Sequence, residues 1–112
     1  MTCSTALALD DVYGLGYGSS DAGRVTLINA AIKSENDMAG ASTGGLDQNA
    51  SMRCTEGHAL LLDCRPELTP LENVSQQAFD LDKYGLELLV VDTQAPHQLN
   101  DGQYAQRRAT CE

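Results

Sequence analysis

The sequence predicts an α+β chain, with helices packed on one face of a mostly antiparallel sheet. Two observations carry this. As far as Met52 the apolar residues recur at helical spacing. From Gly57 onward they gather into short runs bounded by proline and glycine. No repeat, linker or low-complexity tract divides the chain. Residues 1–112 therefore read as a single segment, with helices over 1–52 and strands with a final helix over 57–112.

Residues 1–12 form the first predicted helix. Thr5, Leu9 and Val12 share its apolar face, and Asp10 and Asp11 point elsewhere. The run Gly14-Leu15-Gly16-Tyr17-Gly18 stops it, because glycine is a poor helix former. That run follows a helix rather than a strand, so it is an interhelical loop and not a nucleotide-binding one. Ser19, Ser20 and Asp21 offer an N-cap for a second helix through about Asp37, with Val25, Ile28 and Ile32 as its apolar stripe. A loop over 39–43 leads to a short third helix over 44–52.

The period then changes. His58-Ala59-Leu60-Leu61-Leu62-Asp63-Cys64 suits a buried strand, and Pro66 and Pro70 break the chain after it. Residues 77–81 are a weaker strand candidate and 86–92 a strong one. Pro96 ends an extended piece. Asn100 or Asp101 caps a last helix.

Only four tyrosines and one phenylalanine are aromatic, so the core is expected to be aliphatic. Seven basic against sixteen acidic residues give a net charge of −9. Such a charge repels nucleic acid backbones and anionic membranes, so neither is expected as a partner. It does not exclude a nucleotide, because a local Mg²⁺ overrides the global sign. Cys3, Cys54, Cys64 and Cys111 form no CxxC pair, and His58 and His97 are not at metal spacing. The cysteines are expected to be reduced thiols in a cytoplasmic protein. No apolar run reaches the ~18 residues of a membrane helix. No basic-then-apolar leader is expected either.

The chemistry centres on Glu35 and Asp47. They flank a glycine-bearing loop and a predicted helix start. One carboxylate in such a pair can hold a metal while the other faces a hydroxyl, as phosphoryl transfer requires. Both also have plainer roles available. Asp47 can cap the short helix, and Glu35 can be a solvated residue at a helix end. Asp37 is turned away from Glu35 by the helix. His58 and His97 have no acidic partner at catalytic spacing and are expected to be structural. Arg107 and Arg108 are expected to be solvated.

Several motifs point further. Glu35-Asn36-Asp37-Met38-Ala39-Gly40 resembles the Glu-Asn-x-φ-x-Gly segment of galactokinases, members of the GHMP small-molecule kinase superfamily. Gly44-Gly45-Leu46-Asp47-Gln48-Asn49-Ala50-Ser51 resembles their Gly-Ile-Met-Asp-Gln-x-Ala-Ser. The run from Gly57 to Arg65 resembles Gly-His-Ala-φ-φ-φ-Asp-Cys-Arg. Val91-Asp92-Thr93 with His97-Gln98-Leu99, and Tyr104 to Arg108 with Cys111-Glu112, resemble two further segments in the family's order. The resemblance implies a partial GHMP-kinase fold. It implies Asp47 as the catalytic residue, Gly44, Asp47 and Tyr104 at the sugar, Glu35 as Mg²⁺ ligand, and ATP as co-substrate with galactose.

Three departures stand out. Ser42-Thr43 replaces Pro-Cys, Gly45-Leu46 replaces Ile-Met, and Ala105 replaces an asparagine. Gly45 is expected to loosen the backbone beside Asp47. The family's N-terminal sugar motif, phosphate loop and C-terminal domain have no counterpart in these residues. An internal fragment is therefore expected, inactive alone and open to self-association. Three alternatives remain. One is an N-acetylgalactosamine kinase or other GHMP sugar kinase. A second is a non-catalytic galactose-sensing relative, and a third is a stand-alone interaction module.

Overall fold

The computed structural model describes residues 1–94 and 102–111, without the side chains of Tyr104, Ala105 and Arg108. Four α-helices, α1 (Thr2–Val12), α2 (Asp21–Lys33), α3 (Leu46–Arg53) and α4 (Gln103–Cys111), accompany two strands, β1 (His58–Leu62) and β2 (Val74–Ala78). This is the expected α+β mixture, with an antiparallel sheet.

The N-terminal half is a helical layer. α2 packs against both α1 and α3, and α3 also meets β1. The core is aliphatic, as expected. It comprises Cys3, Leu27, Ile28, Ala31 and Met52, with Ala6 and Ile32 packed against it. Ser20 caps α2 by accepting from the Gly23 N–H at 3.1 Å. Gly23 cannot carry a side chain, because a Cβ there would sit 2.1 Å from the Tyr17 carbonyl oxygen.

The predicted face of α1 is corrected. Leu9 and Val12 are exposed, and the helix buries Cys3 and Asp10 instead. Asp10 is buried for a reason: its carboxylate accepts from the N–H groups of Tyr17 at 2.9 Å and Gly18 at 2.8 Å. It thereby satisfies the orphan donors of the short 3₁₀ turn Tyr17–Ser19. The glycine run is the interhelical loop expected.

A second cluster fixes α3. The Arg53 side chain is only 4% exposed and pairs with Asp21 through two hydrogen bonds of 2.9 and 2.8 Å. It also donates to Asn49 Oδ1 at 3.2 Å and to the Pro70 carbonyl at 2.9 Å. The Arg53 carbonyl accepts from Gln76 Nε2 at 2.6 Å. One guanidinium therefore binds the start of α2, the body of α3 and the connection before β2.

β1 and β2 pair antiparallel, from His58 opposite Ala78 to Leu62 opposite Val74. β1 falls within the predicted strand but is not buried as expected: His58 and Leu61 are exposed and the other three residues are half-buried, because the two-stranded sheet is covered only in part. β2 starts earlier than the expected 77–81, because the returning chain is already engaged. Asp63 N–H donates to the Asn73 carbonyl at 2.7 Å, and Arg53 holds Pro70.

The strand expected over 86–92 does not form. No described strand pairs with it, and Leu86, Leu88, Leu89, Val90 and Val91 are 56–84% exposed. Consecutive apolar residues need cover on both faces of a strand, and the described chain supplies neither face. The radius of gyration, 16.1 Å, accordingly exceeds the ~13 Å of a compact chain this long. α4 agrees with the predicted last helix. Pro96, His97 and the caps at Asn100 or Asp101 lie outside the described residues. No described helix is long and apolar enough to cross a membrane.

Candidate functional site

Glu35 does not lie on the α2 cylinder. α2 ends at Lys33, and Ser34–Met38 continue as one π-helical turn. Such turns are rare and cluster at functional sites. The wider turn directs Asn36 toward the loop. Asn36 Oδ1 accepts from the Thr43 N–H at 2.8 Å, and the Ala41 N–H donates to the Glu35 carbonyl at 3.0 Å. The loop is thus folded back over the turn. Thr43 then receives the Gly45 N–H on its hydroxyl at 3.3 Å, immediately before α3 begins.

The Glu35 carboxylate is half-buried and held from two sides. The Thr2 hydroxyl on α1 donates to Oε1, and Gln48 Nε2 on α3 donates to Oε2 at 2.7 Å. A carboxylate oxygen has two lone pairs, so each keeps one free for a further ligand. Asp37 is exposed and paired with Lys33, as expected for a residue turned outward. That contact holds the Lys33 ammonium above its ordinary pKa, first by hydrogen bonding and then by charge.

Asp47 lies in the first turn of α3 and is exposed. It is not the cap, since Gly45 occupies that position. Its carboxylate has no partner among the described residues.

Glu35 and Asp47 line the same two clefts. One, of about 700 Å³, is bordered by Met1 and the first turn of α1, Thr2 to Ser4, with Gln48 and Ser51. The other, of about 660 Å³, lies between Thr43-Gly44 and Leu60 to Leu62. Both volumes suit a small ligand. Gly44 borders the second cleft, and a Cβ on it would meet nothing within 4 Å. Tyr104 lies on α4, with its side chain outside the described set.

Among the described residues no group of three or more His, Cys, Asp or Glu side chains gathers for a metal ion. Mg²⁺ bound with phosphate needs only one or two carboxylates, the rest of its shell being phosphate oxygens and water. Glu35, with a free lone pair on each oxygen and Asp47 on the same cleft wall, fits that requirement. His58 is exposed, with its Nδ1 lying 2.8 Å from the Glu56 carbonyl.

Thr2 and Gln48 were not singled out from the sequence as partners of Glu35. The available signal for Gln48 was its place beside Asp47 at a helix start. Thr2 had none, because its partner is 33 positions away.

Over 109 residues the chain is 41% identical to the galactokinase of Streptomyces coelicolor, covering 96% of this chain and 25% of that protein. It is 40% identical over 108 residues to the galactokinase of Streptomyces lividans, with 95% and 24% covered. Against the galactokinase of Mycobacterium tuberculosis strain H37Rv the identity is 40% over 89 residues, with 80% and 23% covered. The chain belongs to the galactokinase family. It spans about a quarter of the length of the curated relatives it matches. No family model matches the chain.

Two departures from the galactokinase motifs acquire a structural role. Gly45 adopts φ +87°, and a Cβ there would lie 2.5 Å from Ile32 Cδ1. It does not loosen the backbone: it is buried and is the residue that this close turn admits. Thr43, standing where galactokinases have cysteine, joins the π-turn to the start of α3.

Proposed function

We propose that this chain supplies a galactokinase with the elements that hold the C1 hydroxyl of galactose opposite the γ-phosphate of MgATP. The observation that carries the proposal is the shared wall: Glu35 and Asp47, from different helical elements, line the same two clefts.

Asp47 is the catalytic residue in this reading. Its unpartnered carboxylate accepts the hydroxyl proton, or orients that hydroxyl, as the phosphoryl group leaves. General-base assistance of this kind contributes about 10²–10⁴-fold. Glu35 holds the Mg²⁺, with Thr2 and Gln48 fixing its orientation. The metal, when bound, neutralises charge on the transferring phosphates. The first turn of α1 faces the Glu35 cleft and has no side-chain cap. Its orphan N–H groups therefore suit an anion there. Gly44 admits close approach of the sugar, and Tyr104 is assigned to the sugar by resemblance. With about three-quarters of each relative's length unmatched, the 112-residue chain alone gives only background in a coupled kinase assay.

The test is a transplant. This segment replaces its counterpart in the Streptomyces coelicolor galactokinase, and turnover is followed with ATP, Mg²⁺ and a sugar panel. Galactose is the preferred substrate, and Asp47→Asn lowers kcat by about 10²–10⁴-fold. An Asp47→Asn transplant with undiminished kcat overturns the assignment. Preference for N-acetylgalactosamine would move it to that kinase class, and sugar binding without turnover would mark a sensor.

A further inference from the structure

The four cysteines are all unpaired, yet they are chemically distinct. Cys3 is buried in the helical core. Cys54 is half-buried, and its thiol donates to the His58 carbonyl at 3.1 Å. Cys64 and Cys111 are exposed and line one cleft of about 810 Å³, and Cys64 also borders the second cleft of Glu35 and Asp47. Cys64 lies just beyond β1, and Cys111 ends α4.

The charges in this cleft are also uneven. The Arg65 guanidinium is committed to the Asp63 carboxylate, through contacts of 2.7 to 3.0 Å. Arg107 lies one helical turn before Cys111 and lines the same cleft. In a chain of net charge −9, it offers a local cation to an anionic oxidant. Glutathione disulfide, with its carboxylates, is such an oxidant.

We propose that Cys64 and Cys111 form a redox-modification site that closes into an intramolecular disulfide with glutathione disulfide. One cysteine thiolate attacks a glutathione sulfur, the glutathione S–S bond breaks, and one glutathione leaves as thiolate. The second cysteine thiolate then attacks the protein-bound sulfur and expels the second glutathione. Two cysteines are oxidised, glutathione disulfide is reduced to two glutathiones, and the two thiol protons pass to the leaving sulfurs. A disulfide requires the two Cα atoms to come within about 7 Å. The bond therefore fastens the end of α4 over the end of β1.

The experiment incubates the full chain with graded ratios of oxidised to reduced glutathione and maps non-reduced peptides by mass spectrometry. The expected result is a linked Cys64–Cys111 peptide within one chain, with Cys3 and Cys54 unmodified. In the Cys64→Ser variant, Cys111 instead retains one glutathione. Circular dichroism shows that this variant keeps its helices. Linkage only between chains, separate glutathiones on the two cysteines, a dominant bond to Cys54, or unreacted thiols would each overturn the proposal.

Discussion

Gln48 Nε2 donates to Glu35 Oε2 at 2.7 Å, joining the first part of α3 to the π-turn. The bond sets the orientation of the carboxylate proposed to hold the metal, and it ties that carboxylate to the element carrying Asp47. Groups behind a metal ligand typically contribute 10–100-fold to metal affinity or activity. In the transplanted galactokinase, Gln48→Leu should therefore raise the Mg²⁺ concentration for half-maximal rate by about tenfold. The rate at saturating Mg²⁺ should be largely recovered. A titration of rate against Mg²⁺ checks this, and an unchanged midpoint counts against the role given to Glu35.

Gly45 and Gly44 are neighbours with opposite tolerances. An alanine at Gly45 meets Ile32 at 2.5 Å and must hold φ +87°. A left-handed non-glycine backbone costs about 1–3 kcal/mol, and the clash adds little because Ile32 Cδ1 is the far end of a flexible side chain that can shift. Gly45→Ala should lower the unfolding free energy by about that amount. Adding Ile32→Ala should relieve the clash but not the backbone strain. Gly44→Ala has open space around it, so stability should stay within about 0.5 kcal/mol. Its effect should appear in KM for the sugar. Urea unfolding of the chain and kinetics of the transplant separate these outcomes.

Local signals were legible where the governing interaction is local. The cap at Ser20, the glycine stop after α1 and the apolar run of β1 each involve residues a few positions apart. The misses have long-range causes. Thr5, Leu9 and Val12 do share a face of α1, but the other face is buried because Asp10 serves Tyr17 and Gly18. A carboxylate satisfied by backbone donors has no hydropathy signature. Residues 86–91 have every compositional property of a strand, yet pairing depends on a partner edge that composition cannot specify. At the candidate site the two acids were visible from spacing and resemblance. The π-turn and the donors to Glu35 depend on how three elements converge.

Arg53 shows the same limit from the side of stability, since nothing in its neighbours marks it as buried. Removing it leaves Asn49 Oδ1 and the Pro70 carbonyl without their donor. Breaking a buried pair typically costs about 3–5 kcal/mol. Arg53→Ala should fall near the low end, at about 3 kcal/mol, because the Asp21 side chain is 55% exposed and rehydrates. Asp21→Ala should cost clearly less. Arg53→Lys should recover under half of the loss, since an ammonium cannot reproduce the fork. Equal effects of Arg53→Ala and Asp21→Ala in urea unfolding would show that the ion pair, and not the carbonyl contacts, carries the cluster.

The connection between β1 and β2 should make stability depend on acid. Asp63 is held below the ordinary carboxylate range, chiefly by hydrogen bonds from the Arg65 side chain and then from its backbone N–H. Glu72 is held below its range by the Thr69 hydroxyl and then the Thr69 N–H. A carboxyl whose pKa is lowered by folding contributes stability above its unfolded pKa, and loses it as pH falls through the folded value. For both groups the contribution should be complete above about pH 5 and decline below about pH 4. Lys33, raised by Asp37, has the opposite sign: its contribution is full below the ordinary lysine value and is lost as pH rises above it. Lys33 and Glu72 are exposed and the Asp63 side chain is 35% exposed, so the slopes should be shallow and weaken in high salt. The denaturation midpoint of Asp63→Asn/Glu72→Gln, followed from pH 7 to pH 3, should fall less steeply than that of the parent chain. Parallel curves would assign the acid sensitivity to other carboxylates.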